Sequence, residues 1–425
     1  MKDFLQRIFL LTNEDSYKIL RIFGFTFKFK NAKYYIKHSH KDRRSLIISE
    51  YLDKYQDNIG KKYINKPFDM SEYLDGKISN LNYLHVDNFH HYMNILFNVK
   101  EWFFDDKKSF TCNDDVMLNW EIRPNEKSYQ SIKYAEKYNK KVIFAGDSFL
   151  RSINTMADKT AKEIYRKGIS FTFDDLTSYF DATRPSRLEQ MLNDTNLVIS
   201  EEQKFRARKC IDTIIKNHLT KYNSQPIYEP NIGRKNVKKI LVVDQSYGDM
   251  SILKGMGSDE IFKKMLDSAI KENPDADIIV KTHPDTMAGA GGYYTGLKEK
   301  DNLYLQTTPI NPISLIQYCD KVYVCSTQFG FEALMCGKEV HVFGMPFYAG
   351  WGLTIDFQKC SRRNNKRNLE EIFYIAYIMY SYYVNPEKNC RCEIEEAMDY
   401  LLNLRNKYFA EINSTKENVG NCNIR

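Results

Sequence analysis

The chain has 425 residues, of which 43% are apolar. That length suits about two folded domains, and that composition excludes a wholly disordered protein. The 62 basic and 55 acidic residues leave a formal net charge of +7. This mild excess fits an anionic small substrate or membrane surface, and the lack of a dense basic patch argues against nucleic acid as a partner.

The nine cysteines show no repeated metal-type spacing, and residues 1–30 lack the pattern of a signal peptide. No apolar run approaches the ~20 residues of a membrane-spanning helix. We therefore expect a cytoplasmic protein with reduced thiols and no bound metal. Peripheral contact with the inner membrane stays open, because residues 19–30 alternate apolar and basic side chains, although this alternation favours a strand.

Residues 1–115 carry no chemistry-bearing motif, and we assign them to the first domain. Residues 116–230 predict a Rossmann-like domain on the acceptor side of the protein. Its predicted strands are 141–145, 169–173 and 178–180, and its predicted helices are 186–192 and 201–219.

Charged side chains follow the predicted strands of this domain. Asp147 and Arg151 lie in GDSFLRS (146–152), and Arg184 lies in DATRPS (181–186). Arginine is suited to bidentate binding of a carboxylate or phosphate, so we predict that both arginines bind substrate. An ordinary surface salt bridge is the alternative for each.

The segment 226–239, which contains two prolines and a glycine, predicts a linker, and a regular alternation of strands and helices covers residues 236–358. This alternation predicts parallel βαβ units in a doubly wound α/β sheet. Two such domains facing a cleft bind ligands at the carboxyl ends of their strands. Residues 359–425 predict helices and a polar tail. The predicted strands of the second domain are 240–243, 277–281, 303–306, 322–325 and 340–343, and its predicted helices are 259–271, 312–318 and 329–336.

The strand ends of the second domain carry reactive side chains. Asp244, Gln245 and Asp249 follow the first strand, and a sugar transferase needs a carboxylate at the anomeric carbon, as nucleophile or as stabiliser of an oxocarbenium-like state. His283 and Pro284 follow the second strand, where an imidazole can hydrogen-bond a phosphate. Judged alone, the aspartates also suit turns and caps, and the histidine also suits a structural role.

The segment STQFGFE (326–332) follows the fourth strand and begins a helix. Its hydroxyls, Ser326 and Thr327, together with the N–H groups of the helix start, predict an anion site. Gly330 would let a ligand approach closely, and Glu332 could accept hydrogen bonds from ribose hydroxyls. An ordinary capped helix is the alternative. For the aromatic segment 344–354 we predict packing between the two domains rather than direct contact with substrate.

Several long motifs now point to one family. The segments WEIRPNEKSYQSIKYAEKYNKKVIFAGDSFLRS, FDATRPSRLEQML, VVDQSYGDMSI, KTHPD and STQFGFEALMCGKEVHVFGMPFYAGWGLT resemble, in this order, the bacterial capsule polysaccharide β-Kdo transferases of the KpsC/LipB type. The resemblance covers residues 116–405. It implies a GT-B-like fold with two Rossmann-like domains facing a cleft and with C-terminal helices.

The resemblance also implies an activity. The expected reaction moves Kdo from CMP-Kdo to a glycolipid or oligosaccharide acceptor with retention, through a carboxylate and without a metal or a further cofactor. Other capsule-assembly proteins are the expected partners. By position, Asp249 matches the family's catalytic aspartate, and His283 matches the histidine that contacts the donor phosphate. Ser326, Thr327, Gln328 and Glu332 match the nucleotide-binding segment.

One position departs from the family pattern. The family usually has Glu-Asp-Gly where this chain has Gly146-Asp147-Ser148. If that glutamate serves as acid/base, this protein must use Asp147 or another group. Two alternatives therefore stay open, a transferase of the same fold with a different sugar nucleotide and a catalytically silent subunit of capsule assembly. The intact Asp249, His283 and Glu332 favour an enzyme.

Overall fold

The computed structural model describes residues 9–14, 17–22, 25–30, 32–77, 80–83, 92–98, 101–103, 116–121, 125–282 and 291–422. None of the helices in these ranges is both long enough and apolar enough to cross a lipid bilayer. His283 and Pro284 lie outside the described residues, so the predictions made for them stay predictions.

The elements of the N-terminal half alternate between strands and helices after an initial antiparallel sheet. In chain order they are β1 (Phe9–Glu14), β2 (Tyr17–Ile22), β3 (Phe25–Lys30), α1 (Ala32–Tyr63), a 3-10 turn (Met70–Tyr73), β4 (Asn80–Tyr83), α2 (Asn94–Phe97), β5 (Glu101–Phe103), β6 (Val116–Trp120), α3 (Glu126–Lys137), β7 (Lys141–Asp147), α4 (Glu163–Arg166), β8 (Ser170–Asp174), α5 (Arg187–Asn193) and α6 (Glu201–Lys216).

The second domain and the C-terminal region follow. Their elements are β9 (Lys239–Val243), α7 (Met250–Leu253), α8 (Asp259–Glu272), β10 (Asp277–Lys281), β11 (Leu303–Gln306), α9 (Pro312–Tyr318), β12 (Lys321–Val324), α10 (Phe329–Met335), β13 (Glu339–Val342), β14 (Ile355–Asp356), α11 (Leu369–Phe373), a π-helical turn (Tyr374–Met379), β15 (Ser381–Asn385), β16 (Cys390–Cys392) and α12 (Ile394–Cys422).

The sheet of the second domain is parallel throughout, with the order β11-β10-β9-β12-β13-β14. Its inner strands are runs of buried apolar residues such as KILVV in β9, as expected for a parallel sheet covered on both faces. Numbered within the domain, the order is 3-2-1-4-5-6, the Rossmann order, which switches direction between β9 and β12. The predicted doubly wound sheet is confirmed.

The sheet of the first domain is mixed, with the order β16-β15-β8-β7-β6-β4-β5. Strands β5, β4, β6 and β7 are parallel, whereas β8 pairs antiparallel with β7 and β15 pairs antiparallel with β8. Parts of residues 1–115 thus extend this sheet through β4 and β5. The C-terminal region, predicted as helices and a tail, also supplies the strands β15 and β16.

Two local predictions differ from the structure. Residues 178–180 form a turn rather than a strand, because Asp174 Oδ1 accepts the N–H of Leu176 at 2.8 Å and Thr177 Oγ1 donates to Asp181 Oδ2 at 2.8 Å. Such Asx and hydroxyl bonds compete with strand pairing. The alternating segment 19–30 is strand, as favoured, but it covers two antiparallel strands, β2 and β3.

The two domains share a core of aromatic side chains. Phe149, just after β7, stacks on Tyr377 of the π-helical turn with ring centroids 4.5 Å apart, and it also contacts Phe347 at 4.8 Å. Phe331 of α10 contacts both Phe347 at 5.2 Å and Tyr377 at 5.5 Å. The loop 344–354 therefore packs between the domains, as the sequence predicted.

A buried ion cluster joins the same two domains. Glu189 of α5 accepts Nε–H of Arg362 at 2.7 Å and Nε–H of Arg363 at 3.0 Å. Only 3% of Glu189 is exposed. Arg363 also donates to the carbonyl of Ala349 at 2.7 Å, so the cluster fixes the loop after β13 to the first domain.

Replacement of Glu189 by alanine should destabilise the protein strongly. The change leaves two guanidinium groups without their carboxylate, one of them buried, and loss of one partner of a buried pair costs about 3–5 kcal/mol. Glu201→Ala is the control, because the exposed Glu201 pairs with Lys204 on the surface of α6, and loss of such a surface pair should cost less than about 1 kcal/mol. Urea unfolding measures both. Equal midpoints for the two variants would contradict a role for the cluster.

Candidate active site between the two domains

The site begins at the switch point of the second sheet. Gln245 follows β9 and Ser326 follows β12, and the two form a double hydrogen bond. The Ser326 N–H donates to Gln245 Oε1 at 2.9 Å, and Gln245 Nε2 donates to Ser326 Oγ at 3.3 Å. The carboxyl ends of these strands are thus joined at the crevice where open α/β sheets bind ligands.

Asp249 lies in the exposed loop after β9. The preceding Gly248 has φ +78°, a left-handed conformation that glycine adopts readily, and the chain then turns into α7. Asp249 is the N-cap of α7, and one carboxylate oxygen accepts the N–H of Ser251 at 2.7 Å. The cap role weighed from the sequence is therefore real, and it holds an exposed carboxylate at the cleft.

Asp244 has a different environment from Asp249. It is 2% exposed, and its oxygens accept the N–H groups of Gln245 at 2.8 Å and Tyr293 at 2.9 Å. Burial raises the pKa of Asp244 above its ordinary value, and the backbone hydrogen bonds oppose this. Asp244 therefore holds the segment around residue 293 in place, and the geometry does not support its predicted contact with substrate.

The segment 326–332 is packed more tightly than predicted. A Cβ on Gly330 would overlap the hydroxyl of Tyr348, which itself donates to the carbonyl of Thr327 at 2.6 Å. The hydroxyl of Tyr348 thus fills the space that a side chain at position 330 would enter, and the predicted approach of a ligand to Gly330 stays a prediction. Gln328 donates to the carbonyl of Phe149 at 2.9 Å, across the domain boundary.

Glu332 is also placed at the domain boundary. It is 4% exposed, and it accepts hydrogen bonds from the Lys221 N–H and, at 3.3 Å, from Gln328 Nε2. Burial raises the pKa of Glu332 to about 7, although these bonds oppose the shift. These hydrogen bonds show that the Glu332 carboxyl joins the two domains. They do not test its predicted contact with ribose, which stays a prediction.

The first domain contributes Asp147 and Arg151 to the cleft. Arg151 Nε lies 2.7 Å from Asp147 Oδ1, and Arg151 is 1% exposed. Its guanidinium also donates to the carbonyl of Arg166 at 2.7 Å. Arg151 is therefore a buried partner that orients Asp147, and the prediction that it binds substrate directly is not supported.

Arg184 lies in an ion-pair cluster instead of the cleft. Its guanidinium pairs with Asp57 at 2.8 Å and with Asp53 at 3.1 Å, both on α1. The salt bridge considered as the alternative from the sequence is therefore what the structure contains. Arg184 ties the 181–186 loop to α1, and its predicted substrate contact stays a prediction.

Three side chains of the site were not recognised from the sequence: Glu121, Tyr179 and Lys221. Burial chiefly raises the pKa of Tyr179 to about 12, with further contributions from Glu121, Asp147 and Asp249, whereas Lys221 lowers it. The three carboxylates and the ammonium group thus lie within electrostatic range of one phenol. They come from the ends of β6, β7 and β9 and from the loop after α6. These segments are far apart in sequence, so no motif spacing links the four residues.

Lys221 supplies the positive charge of this group. Burial alone would lower the pKa of Lys221, but Tyr179, Tyr222, Asp147 and Glu121 together raise it above its ordinary value. The lysine is therefore an ammonium ion at neutral pH. A charged lysine surrounded by acidic groups can hold an anionic substrate group, or keep those acidic groups ionised.

Lys281, at the end of β10, is also a lysine with an unusual environment. Burial lowers its pKa to about 8, and its Nζ donates to the carbonyl of Thr282 at 2.9 Å. It leads directly into the strand end where the sequence places His283. A lysine whose pKa lies near neutrality can lose its charge readily when its surroundings change.

The protein has two open α/β sheets, and acidic side chains at their strand ends lie across a cleft from each other. This arrangement places it in the class of GT-B-like α/β folds, the glycosyltransferase type. The family model for "Capsule polysaccharide biosynthesis protein" matches residues 117–387. The chain therefore belongs to this capsule polysaccharide biosynthesis family.

Individual relatives agree with this assignment. The capsule polysaccharide modification protein LipA of Neisseria meningitidis serogroup A is 36% identical over 303 residues, which are 69% of this chain and 42% of LipA. The chain thus spans less than half the length of that relative.

Two solved structures from Thermosulfurimonas dismutans resemble the whole fold. The KpsC β-Kdo 2,4 transferase is 29% identical with a TM-score of 0.68, and the match covers 76% of this chain and 98% of that one. The KpsC β-Kdo 2,7 transferase is 26% identical with a TM-score of 0.53, and the match covers 77% and 99%. The predicted GT-B-like fold and the predicted family are both confirmed.

The environment of Glu332 predicts a pH dependence of stability. With a folded pKa of about 7 against an ordinary value of 4.5, Glu332 keeps a proton that the unfolded chain releases, so its contribution to stability is lost as pH rises from about 4.5 to about 7. Glu332→Gln removes this loss. The unfolding free energy of the variant minus that of the wild type should rise by about 3 kcal/mol across that window.

Chemical unfolding at a series of pH values measures this difference. Glu202→Gln is the matched control, because Glu202 is exposed on α6, whereas Glu332 is buried between the domains. A difference for Glu332→Gln that stays constant between pH 4.5 and 7 would show that the carboxyl is not buried between the domains as described.

Proposed function

We propose that the protein is a glycosyltransferase of capsule polysaccharide biosynthesis that transfers Kdo from CMP-Kdo to a glycolipid or oligosaccharide acceptor, with retention and with no further cofactor. The observation that carries the proposal is the exposed Asp249 carboxylate in the loop after β9, in a chain of which 76% matches a β-Kdo transferase structure. Other capsule-assembly proteins are the proposed partners.

The proposed reaction has two displacements. In the first, an oxygen of Asp249 forms a bond to the anomeric carbon as the bond from that carbon to the phosphate oxygen breaks and CMP leaves. In the second, an acceptor hydroxyl forms a bond to the same carbon, its proton passes to a base, and the Asp249 carboxylate leaves. Two inversions give net retention.

The donor would lie against the second domain. Ser326, Thr327 and Gln328 belong to the segment that the family resemblance assigns to the nucleotide, and Gln245 fixes Ser326 beside the strand end that leads to Asp249. The positive charge of Lys221 on the opposite wall suits a donor whose sugar carries a carboxylate. The proposed phosphate contact of His283 rests on its position in the sequence.

Replacement of Asp249 should abolish the first displacement. Asp249→Asn and Asp249→Ala should lower CMP release from CMP-Kdo by at least about 10³-fold, because each removes the nucleophile. Intact-protein mass spectrometry should show a Kdo-sized adduct on the wild type that neither variant forms. Asp267→Asn is the control, because Asp267 is exposed on α8 away from the strand ends, and it should react like the wild type. An adduct that persists in Asp249→Ala would contradict the assigned nucleophile.

The donor itself is tested by ligand-induced stabilisation. Because a ligand that binds only the folded state raises its stability, CMP at 100 times its dissociation constant should add about 2.7 kcal/mol, while UDP and GDP at equal concentration should add much less. Differential scanning fluorimetry compares the three. A larger effect of UDP or GDP would overturn CMP-Kdo as donor but keep the transferase. No effect of any nucleotide, together with no CMP release, would favour the silent subunit that Gly146 left open.

A further inference from the structure

Glu121 has an unusual backbone conformation. It follows β6 directly, and its φ of +48° lies in the left-handed region, which a residue with a side chain rarely adopts. The conformation is held from both sides. The Glu121 N–H donates to the carbonyl of Ala145 at 2.8 Å, and the buried Asn119 donates through Nδ2 to the Glu121 carbonyl at 2.5 Å. The fold therefore keeps a glutamate at a position where glycine would be strain-free.

The side chain of Glu121 extends across the neighbouring strand. A Cβ built on Gly146 of β7 would lie 3.5 Å from Cγ and 3.7 Å from Oε1 of Glu121. The Glu121 carboxylate thus lies over the face of Gly146, in the space that a side chain at position 146 would enter. Gly146 on β7 therefore leaves space for the Glu121 carboxylate, which comes from the end of the neighbouring strand β6.

The carboxylate of Glu121 lies within the group of charges that defines the cleft. It acts electrostatically on Tyr179, Lys221 and Arg151, and the carboxylates of Asp147 and Asp249 act on the same Tyr179. Asp147 is held at 2.7 Å by the buried Arg151, so it is committed to an ion pair. Glu121 is a second carboxylate of the first domain, partly buried, and it lies within electrostatic range of this ion pair.

We propose that Glu121 is the acid/base residue on the acceptor side of the cleft, with Gly146 as the position that makes room for it. The inference rests on the proposed glycosyl transfer. As the acceptor oxygen forms its bond to the anomeric carbon, the acceptor O–H bond breaks and the proton passes to an oxygen of Glu121. The bond between that carbon and Asp249 breaks in the same step, and Asp249 leaves as a carboxylate. Asp147 and Arg151 are positioning residues in this step.

The test moves the carboxylate from one strand to the next. Glu121→Gly should lower acceptor transfer by about 10²-fold or more, since general-base catalysis contributes 10²–10⁴-fold. Its melting temperature should equal or exceed that of the wild type, because glycine relieves the left-handed backbone. The double variant Glu121→Gly with Gly146→Glu should recover at least tenfold of the lost rate. The Cβ of the new side chain has its nearest neighbours at 3.4 Å and beyond, and removal of the Glu121 side chain takes away two of the three nearest atoms.

Further variants separate proton transfer from packing. Glu121→Gln keeps the shape of the side chain but should lose transfer and also the acidic limb of the pH–rate profile, which a purely structural role would not move. Gly146→Glu alone should not raise activity, because it places two carboxylates in one space. Glu126→Gln, on an exposed glutamate that pairs with Arg44 at 2.9 Å, is the control and should react like the wild type.

The outcomes distinguish this inference from the function on which it rests. If the wild type releases no CMP from CMP-Kdo, the proposed function fails. If the wild type is active and Glu121→Gly transfers to acceptor at the wild-type rate, the role of Glu121 is overturned and the function stands. A double variant that transfers to acceptor no faster than Glu121→Gly would also overturn the role of Glu121. In the supporting result, Glu121→Gly still forms the Kdo adduct on Asp249 but passes it on slowly.

Discussion

The geometry of the cleft depends on the aromatic contact between the two domains. Phe149 stacks on Tyr377, and the edge of Tyr179 contacts Phe149 with ring centroids 5.1 Å apart. Aromatic rings each bury a large apolar area, and offset or edge-on pairs add further stabilisation. Since Phe149 follows Asp147 by two residues, the packing that joins the domains also fixes the strand end that carries the Asp147–Arg151 pair. A change in the aromatic contact between the domains should therefore also displace the strand end that carries Asp147.

The C-terminal region adds further contacts between the two domains. After leaving the second domain, the chain returns to the first, where β15 pairs with β8 and Ser381 exchanges a hydrogen bond of 2.6 Å with Ser148. Arg367 donates to the carbonyls of Leu192 and Leu197, which closes the end of α5. Residues 359–392 thus lead the chain back to the first domain, whose sheet contains strands that follow the whole second sheet in sequence. The first domain is discontinuous in sequence.

This connectivity explains which parts of the fold could be predicted. In the second domain the bounds of β11 and α9 agree with the predicted ones residue for residue, because a short apolar run, a cap at Asn311 and Pro312 at the helix start are all local signals. The strands β15 and β16 had no such signal. The tyrosine-rich segment around residue 380 is ambiguous between helix and strand, and only its pairing with β8 decides the outcome.

The site was predicted in the same uneven way. Asp249 and Asp147 could be found because each follows a recognisable strand, and a strand end is where α/β sheets place their chemistry. The contact of Gly330 with Tyr348 could not be predicted, because a glycine beside a ligand and a glycine beside a tyrosine have the same local sequence. The same holds for the ion pair of Arg184 with α1, since an arginine that binds substrate has the same local sequence as one that pairs with a helix. Glu121 was missed because its role depends on a neighbour 25 residues away in sequence, across a sheet.

The distribution of charge across the cleft follows from the same arrangement. Three carboxylates near one site would repel an anionic donor, but Arg151 balances Asp147, and the ammonium of Lys221 lies among the others. The carboxylates on the two walls differ in exposure, because Asp249 on the second domain is exposed and Glu121 on the first is partly buried. Catalytic carboxyl pairs take different roles when their environments differ. Here Asp249 caps a helix in an exposed loop and Glu121 lies partly buried against β7. In the proposed reaction, attack on the sugar and removal of the acceptor proton would therefore fall to opposite domains.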